Sequence, residues 1–167
     1  MKFRLFSAIL IGCVLSASAQ KTVVDVAVGS KDHTTLVAAV KAADLVGTLQ
    51  SAGPFTVFAP VNEAFASLPK GTVENLLKPE NKASLAKILT YHVVAGNLDA
   101  AAVVKAIQDG KGKATVKTVS GGNLTASLEN GKVILTDENG RTSTVVATDL
   151  KAGNGVVHVI NTVVLPK

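Results

Sequence analysis

The sequence predicts one α+β domain, with helices in its first half and an antiparallel meander in its second half. Three observations support this fold class. Apolar residues recur at helical spacing up to position 108, strand-length segments separated by turn residues follow from position 114, and no internal repeat or linker divides the chain. Its 167 residues are enough for one ordinary domain and too few for two comfortable ones.

The N-terminal segment predicts a secretory signal peptide at residues 1–19, followed by a mature domain at 20–167. Two basic residues precede an apolar run at 5–17, and Ala17-Ser18-Ala19 is a small-residue cleavage site. The apolar run is too short for a stable membrane span. Because Leu10-Ile11-Gly12-Cys13 also matches a lipobox, a lipoprotein modified at Cys13 is the alternative.

Composition excludes two classes of protein. A hydrophobic content of 47% with 17% charged residues is unlike a disordered chain. The net charge of +5 is carried mostly by scattered lysines, and 4% aromatic residues without tryptophan leave few stacking platforms for bases. Nucleic acid is therefore not an expected partner. The one cysteine and the one methionine both lie within residues 1–19, which suits export to an oxidising compartment.

The first half is predicted to contain several short helices around one strand. Residues 55–59 are predicted to form the strand, because prolines bound a β-type run there. Asn62 is expected to cap the helix that follows it, since an asparagine at this position accepts a hydrogen bond from the first turn. The predicted helices include 36–43, a short one from 44, 63–68, 73–78, one beginning near 83, and 99–108.

Two local structures are possible around Tyr91 and His92. If the helix that begins near residue 83 reaches residue 93, His92 joins the apolar residues on its buried face. If a strand begins near Tyr91, then Tyr91 and His92 point to opposite faces of a sheet. The valine-rich sequence and Gly96 favour the strand.

Two Asn-Gly pairs predict consecutive hairpins, because a type I′ turn needs positive φ at both central residues. A two-residue turn at Asn130-Gly131 places Leu128 opposite Val133. A two-residue turn at Asn139-Gly140 places Val133 opposite Val146 and Ile134 opposite Val145. One buried face is then expected to carry Leu124, Ala126, Leu128, Val133, Leu135 and Val146. The predicted strands are 114–119, 123–129, 132–137, 142–149 and 156–165, the last with a break at Asn161.

No pattern of reactive residues predicts catalysis, a cofactor or a metal site, so an enzyme is not expected. The histidines at positions 33, 92 and 158 lack the local spacing of metal ligands, and residues 20–167 contain no thiol. No serine stands in a nucleophile elbow, and no glycine-rich segment opens a helix after a strand. Val156, His158 and Ile160 share one face of the last strand, which predicts a neutral, buried His158 ring with a structural hydrogen bond.

Three segments, in the same order along the chain, resemble the motifs of the fasciclin (beta-Ig-H3) domain family. They are residues 55–65 (FTVFAPVNEAF), 91–96 (YHVVAG) and 154–166 (NGVVHVINTVVLP). The resemblance implies a β-wedge or sandwich of about seven mainly antiparallel strands, with several helices packed at one end. The positions that carry the structural motif are Thr56, Phe58, Pro60, Asn62, Phe65, Asn154, Gly155, His158 and Asn161.

Two positions depart from the family pattern. Val61 stands where the family usually has threonine or serine, so a hydroxyl at this helix start is missing. Asn161 stands where the family usually has aspartate, which keeps a hydrogen-bonding side chain but removes a charge.

The resemblance implies an extracellular adhesion or matrix-interaction module, because fasciclin domains generally have that role and most are not enzymes. The expected partner is an extracellular protein or glycan surface, and the domain is expected to be a monomer. A second hypothesis is a secreted domain that binds a small ligand in a closed apolar pocket.

Two residue pairs are candidates for partner binding. Asp149-Leu150 stands in the place of an Asp-Ile pair that contributes to integrin binding in animal members. The Tyr91-His92 motif has been linked to adhesion in some animal members. Structural roles are the alternatives: Asp149 would end a strand, Leu150 would fill the core, and His92 would brace the helix-to-strand junction.

Overall fold

The computed structural model describes residues 20–167, and in that range it contains a seven-stranded mixed sheet with helices before and between the strands. The predictions of a signal peptide and of a lipid on Cys13 lie outside the described residues. The strands are β1 (Phe55–Pro60), β2 (Val93–Ala95), β3 (Lys113–Lys117), β4 (Asn123–Glu129), β5 (Lys132–Thr136), β6 (Thr142–Ala152) and β7 (Gly155–Ile160). The helices are α1 (Val23–Val28), α2 (Thr34–Ala42), α3 (Val46–Gln50), α4 (Asn62–Ala66), α5 (Thr72–Leu76), α6 (Lys82–Tyr91) and α7 (Ala100–Asp109), with 3₁₀ turns at Lys31–His33 and Pro79–Asn81.

The strands follow the spatial order β2-β1-β7-β6-β5-β4-β3. β1 and β7 run parallel, and the other neighbouring pairs are antiparallel. The two edge strands approach each other, since Val94 bridges Thr118 and the Val119 N–H donates to the Val93 carbonyl at 2.8 Å. The sheet therefore wraps into a wedge-shaped near-barrel, and the predicted α+β fold class is confirmed.

Two apolar cores lie on opposite sides of the central β1–β7 pair. On one side, Val57 and Val157 pack under the N-terminal helices. On the other side, Phe58 and Ile160 pack inside the curved meander together with residues of α7. Because both faces of these strands are buried, their sequences are almost continuously apolar rather than alternating.

The first Asn-Gly hairpin has the predicted register. Asn130 and Gly131 have positive φ angles of 51° and 77°, and Leu128 pairs with Val133. The residues predicted to face the core from β4 and from β5 do so. Asn-Gly readily adopts the positive φ angles that a two-residue turn requires, and this turn sets the pairing of β4 with β5.

The second hairpin departs from the predicted register by one residue. Thr136 pairs with Thr142, so the connection is a five-residue loop rather than a two-residue turn. The Asp137 carboxylate organises this loop, because its Oδ1 accepts hydrogen bonds from the N–H groups of Asn139 at 2.9 Å and Arg141 at 2.8 Å. These two bonds favour the longer loop over the tight turn.

This shift exchanges the two faces of β6, because a one-residue change of register moves each side chain to the other side of a sheet. Val145 joins the core, whereas Val146 is 57% exposed. Ile134 lies opposite Thr144. The predictions that pair Val133 with Val146 and Ile134 with Val145 are therefore wrong.

The junction after α6 lies between the two predicted alternatives. α6 continues through Tyr91 and β2 begins at Val93, so the expectation of a strand from about Tyr91 is wrong by two residues. His92 is the C-cap residue, and its backbone N–H donates to carbonyls of the last helical turn. The helix extends to Tyr91 because these hydrogen bonds satisfy carbonyl groups of its last turn.

Asn62 does not cap its own helix. α4 begins at Asn62, and Val61 occupies the cap position without a side-chain hydrogen bond. The prediction that Asn62 caps this helix is therefore wrong, because its amide group is committed to another helix, as described below.

We expect Asp137→Ala to lower the free energy of unfolding by about 2–4 kcal/mol, because backbone N–H groups would lose a buried charged acceptor. Besides the two bonds within the loop, Asp137 Oδ2 accepts from the Leu165 N–H at 3.0 Å. Chemical denaturation measures the loss. Asp109→Ala, an equal change of charge at an exposed helix end, is the control and should stay within about 0.5 kcal/mol of the wild type. Equal stability of the two variants would contradict the role assigned to Asp137.

Candidate functional site

Asn154, in the turn between β6 and β7, joins this turn to the N-terminal helices. Its Oδ1 accepts a hydrogen bond from the Val23 N–H at 2.9 Å. Its Nδ2 donates to the carbonyl oxygens of Leu49 at 2.7 Å and Ser51 at 3.0 Å. One amide group therefore holds the start of α1 and the end of α3 against the sheet.

Gly155 allows β7 to lie close to β1. A Cβ atom at this position would stand 1.9 Å from the carbonyl oxygen of Phe55, a separation that real Cβ atoms do not reach. The Phe55 N–H donates to the Asn154 carbonyl at 3.0 Å, and the parallel pairing begins at this point. The glycine is thus required by a close backbone approach.

Thr56 positions the loop that follows β2. Its hydroxyl group donates to the Gly96 carbonyl and accepts from the Leu98 N–H, each at 2.8 Å. The side chain is fully buried, so water does not compete for either bond. The loop between β2 and α7 is therefore anchored to β1.

His158 connects the same loop to β6. Its Nε2 lies 2.7 Å from the Leu98 carbonyl oxygen, and its Nδ1 accepts a longer bond of 3.4 Å from the Asp149 N–H. This pattern corresponds to a neutral ring with its proton on Nε2. The ring stacks on Phe58 with a centroid separation of 5.7 Å, and the predicted burial of His158 is confirmed.

Asn62 caps α2, which lies earlier in the chain. Its Oδ1 accepts from the Thr35 N–H at 3.0 Å, across 27 residues, and from the Thr34 hydroxyl at 3.2 Å. Its Nδ2 donates to the Lys31 carbonyl at 3.0 Å. The amide therefore satisfies the first turn of α2 from outside that helix.

Asn161 ends β7 by pairing with β6. Its backbone N–H donates to the Thr144 carbonyl at 3.1 Å, and its Oδ1 accepts from the Thr144 N–H at 2.9 Å. A neutral amide is sufficient for this contact, so the charge usual in the family is not needed for it. Two further motif residues, Pro60 and Phe65, are buried in the protein interior.

Tyr91 is fully buried at the end of α6. Its hydroxyl group donates to the Asn123 carbonyl at 2.7 Å and accepts from the Glu138 N–H at 3.3 Å. Burial raises the pKa of this hydroxyl above its ordinary value. Tyr91 therefore fastens α6 to the meander and presents no surface to a partner in this fold.

His92 is also buried, and it fastens the C-terminal segment. Its Nδ1 lies 2.8 Å from the Ile88 carbonyl oxygen, and its Nε2 accepts from the Val164 N–H at 3.2 Å. Burial lowers the pKa of His92 to about 4, although the Ile88 hydrogen bond and the nearby Asp137 charge act in the opposite direction. The geometry supports the bracing role, and partner binding by Tyr91 or His92 stays a prediction without geometric support.

Asp149 and Leu150 lie at a bulge in β6, where the register with β7 shifts between Ala147 and Leu150. Asp149 has a φ angle of 59°, and its Oδ1 accepts from the Ala100 N–H at the start of α7 at 2.8 Å. Leu150 is 39% exposed. The alternatives in which Asp149 ends a strand and Leu150 fills the core are wrong, because β6 continues to Ala152 and the bulge turns Leu150 outward.

We call Asp149, Leu150 and Lys151 the β6 bulge surface. It borders an open cleft of about 550 Å³ that is lined by residues 52–54, the 97–99 loop and the β6–β7 turn. Lys151 and Asp99 supply charges of opposite sign to this cleft. The fold thus brings the Asp149-Leu150 pair close to the Asn154-Gly155 turn.

The sequence analysis missed three residues that shape the fold around the candidate sites. Asp137, which sets the second hairpin, had a signal in the sequence, because an aspartate two positions before Asn-Gly favours an Asx-type turn. Asn97 and Lys151 line the cleft but had no local signal, since distant segments assemble it. Among residues 20–167, no group of three or more His, Cys, Asp or Glu side chains could hold a metal ion.

Comparison with known proteins decides the family. A family model of the Fasciclin domain matches residues 31–166. The chain belongs to the fasciclin domain family. Proteins of this family are known for roles in extracellular adhesion and matrix, and they are generally not enzymes.

Relatives of the chain come from bacteria and animals. Protein sll1483 of Synechocystis is 53% identical over 145 residues, which cover 87% of this chain and 73% of that protein. Immunogenic protein MPB70 of Mycobacterium bovis is 34% identical over 152 residues, which cover 88% of this chain and 70% of that protein. Transforming growth factor-beta-induced protein ig-h3 of Sus scrofa is 40% identical over 87% of this chain, which spans 19% of that protein.

A solved structure supports the same assignment. It is a FAS1 domain pair from the insect cell adhesion molecule fasciclin I, with a TM-score of 0.58 and 26% sequence identity. The match covers 75% of this chain and 42% of the insect chain.

As for membranes, none of the helices between residues 20 and 167 combines the length and the apolar character that a span requires.

We expect acid to destabilise the fold through His92. A histidine in the unfolded chain takes up a proton near its ordinary pKa of 6.5, whereas folded His92, with its pKa lowered to about 4, does so only at much lower pH. Stability is therefore complete above pH 6.5 and falls as the pH drops towards 4, by about 2 to 3 kcal/mol at pH 4.5. Burial also lowers the pKa of His33, which acts in the same direction.

Urea denaturation at pH 7 and pH 4.5 measures this effect, with His92→Gln as the non-titrating comparison. The variant is less stable at pH 7 because it loses the imidazole contacts, but it should lose less stability on acidification than the wild type. An identical pH dependence for both proteins would show that His92 titrates normally.

Proposed function

We propose that this protein is a secreted, non-enzymatic adhesion module that attaches to an extracellular protein or glycan surface. In this proposal residues 1–19 are removed as a signal peptide, and residues 20–167 act as one monomeric domain. Membership of the fasciclin family supports the adhesive role, because the family is known for it.

The observation that carries the proposal is the β6 bulge surface. Leu150 exposes a large apolar side chain between the charged residues Asp149 and Lys151. Two hydrogen bonds fix the position of Asp149: its backbone N–H donates to His158 Nδ1, and its carboxylate accepts from the Ala100 N–H. An apolar side chain exposed on a fixed backbone segment, with charged groups around it, can contact the surface of a protein partner.

Binding of a small ligand in a closed apolar pocket receives less support. The apolar cavity between α1, α2 and β1 has a volume of about 30 Å³. A cavity of that size holds a few water molecules at most, so it does not admit an organic ligand unless its lining moves. Its lining residues are apolar apart from His92.

We expect Leu150→Ser and Asp149→Asn to reduce adhesion several-fold while the melting temperature stays within a few degrees of the wild type. Leu150→Ser removes the exposed apolar group. Asp149→Asn removes only the charge, because asparagine tolerates positive φ and keeps an acceptor for the Ala100 N–H. The measurement is attachment of the purified protein to the cells that secrete it and to matrix prepared from them.

Val146→Ser is the matched control, since Val146 is exposed on the same strand outside the bulge surface. Its adhesion should equal that of the wild type. If Val146→Ser reduces attachment as much as Leu150→Ser does, the effect is general surface hydrophobicity and the bulge is not the contact site. Full adhesion of both bulge variants would exclude this surface.

We also expect the exported protein to begin at Gln20. N-terminal sequencing and intact mass of the protein recovered outside the cytoplasm measure this start. A lipid-modified N-terminus at Cys13 would instead make the protein a membrane-anchored lipoprotein and would contradict release as a soluble module.

A further inference from the structure

The outward face of the meander carries a transverse row of threonines. Thr115, Thr125, Thr136 and Thr142 stand opposite one another on the four successive strands β3 to β6. The next row on the same face contains Ser127, Ile134 and Thr144. Neighbouring strands lie about 4.8 Å apart, so the threonine row extends over roughly 14 Å. We call these seven residues the hydroxyl face.

This face is directed away from the core. The residues that alternate with it, such as Ala114, Leu124, Leu135 and Val145, belong to the buried cluster inside the meander. Helix α7 packs on β3 and β4 from that inner side through Val103 and Ile107. On the outward side, Thr115 and Thr142 are exposed, Thr125, Ser127, Thr136 and Thr144 are half-buried, and Ile134 is buried.

The hydroxyl groups of this face are available for a ligand. Threonine and serine hydroxyls on the inner side, such as those of Thr118 and Ser143, are hydrogen-bonded to the chain. In the part of the chain that the structure describes, the six hydroxyls of the outer face have no such side-chain bond. A row of donors and acceptors at regular spacing can meet a polymer that repeats its own hydroxyl groups.

Charge defines the class of polymer. Lys113 and Lys117 flank Thr115 on the edge strand, and Lys132 lies at the start of β5 on the same face. Glu129, opposite Lys132, is the one acidic side chain among the outward positions of β3, β4 and β5. The Glu138 carboxylate also accepts from the Asn123 N–H, opposite Lys117, so the face keeps a small excess of positive charge, which lies at the β3 edge beside the hydroxyl row.

We propose that the hydroxyl face and its β3 lysines bind an acidic polysaccharide. Lys113 and Lys117 would pair with carboxylates of the sugar chain, and the threonine row would hydrogen-bond to its hydroxyl groups. The strand spacing is close to the length that one pyranose ring adds to an extended polysaccharide, so successive rings can meet successive strands. This site does not depend on the β6 bulge surface, and either can fail without the other.

The test measures binding of the protein that comprises residues 20–167 to polygalacturonate, with neutral dextran as the comparison polymer. Affinity electrophoresis and calorimetry at two salt concentrations are suitable. The variants are Lys113→Gln with Lys117→Gln, and Thr125→Val with Thr136→Val, which removes hydroxyls but keeps β-branched side chains. The control is Lys41→Gln with Lys70→Gln, an equal change of charge at exposed positions outside the meander.

We expect binding to polygalacturonate but not to dextran, with an affinity that falls as salt rises. The lysine pair should weaken it about three- to tenfold, as expected for two exposed ion pairs. The threonine pair should weaken it by a similar factor at unchanged melting temperature. The control pair and Leu150→Ser should bind as the wild type does, which separates this site from the bulge surface.

Three results would overturn the proposal. The first is that the protein binds both polymers equally, or that it binds neither polymer. The second is an equal loss for the control lysine pair, which would indicate attraction by net charge alone. The third is a dimer in sedimentation that the threonine variants abolish without any polysaccharide binding, which would make a second copy of the chain the occupant of this face.

Discussion

The amide side chain of Asn154 and the missing side chain of Gly155 join the two halves of this domain. Asn154 binds the backbone of α1 and of the α3 end, while Gly155 lets β7 lie against Phe55 in β1. The parallel β1–β7 pair is the centre of the sheet, and both apolar cores are built on its two faces. A side chain at position 155 would clash with the Phe55 backbone and force these two strands apart, so the rest of the fold depends on this contact.

Buried polar groups connect the β1–β7 pair to the surface of the domain. His158 on β7 reaches the Leu98 carbonyl on one side and the Asp149 N–H on the other. Thr56 on β1 holds the loop in which Leu98 lies. The exposed bulge at Asp149 and Leu150 is therefore supported from the middle of the sheet. The hydrogen bonds of His158 and Thr56 offset the cost of removing these polar groups from water.

The motif residues are mostly internal, and the surfaces suited to partners lie between them. Tyr91 and His92 fasten α6 to the meander and to the C-terminal segment, so their substitution would disturb folding before it could disturb recognition. The bulge surface and the hydroxyl face lie on different strand segments and offer different chemistry, an apolar group between charges and an array of hydroxyls beside lysines. In the two proposals, the bulge surface contacts a protein or cell surface and the hydroxyl face contacts an acidic polysaccharide.

The local pattern of residues was sufficient to predict the fold class, the Asn130-Gly131 hairpin and the burial of His158. Turn chemistry and strand alternation act over a few residues, so they can be read along the chain. The register after Asn139-Gly140 was predicted wrongly by one residue, because it depends on the Asp137 carboxylate, which binds N–H groups of the loop and of Leu165. The role of Asn62 at α2 and the exposure of Leu150 likewise arise from contacts between distant segments. Such contacts form only when the sheet closes, and a one-residue shift of pairing then decides which side chains face the core and which face a partner.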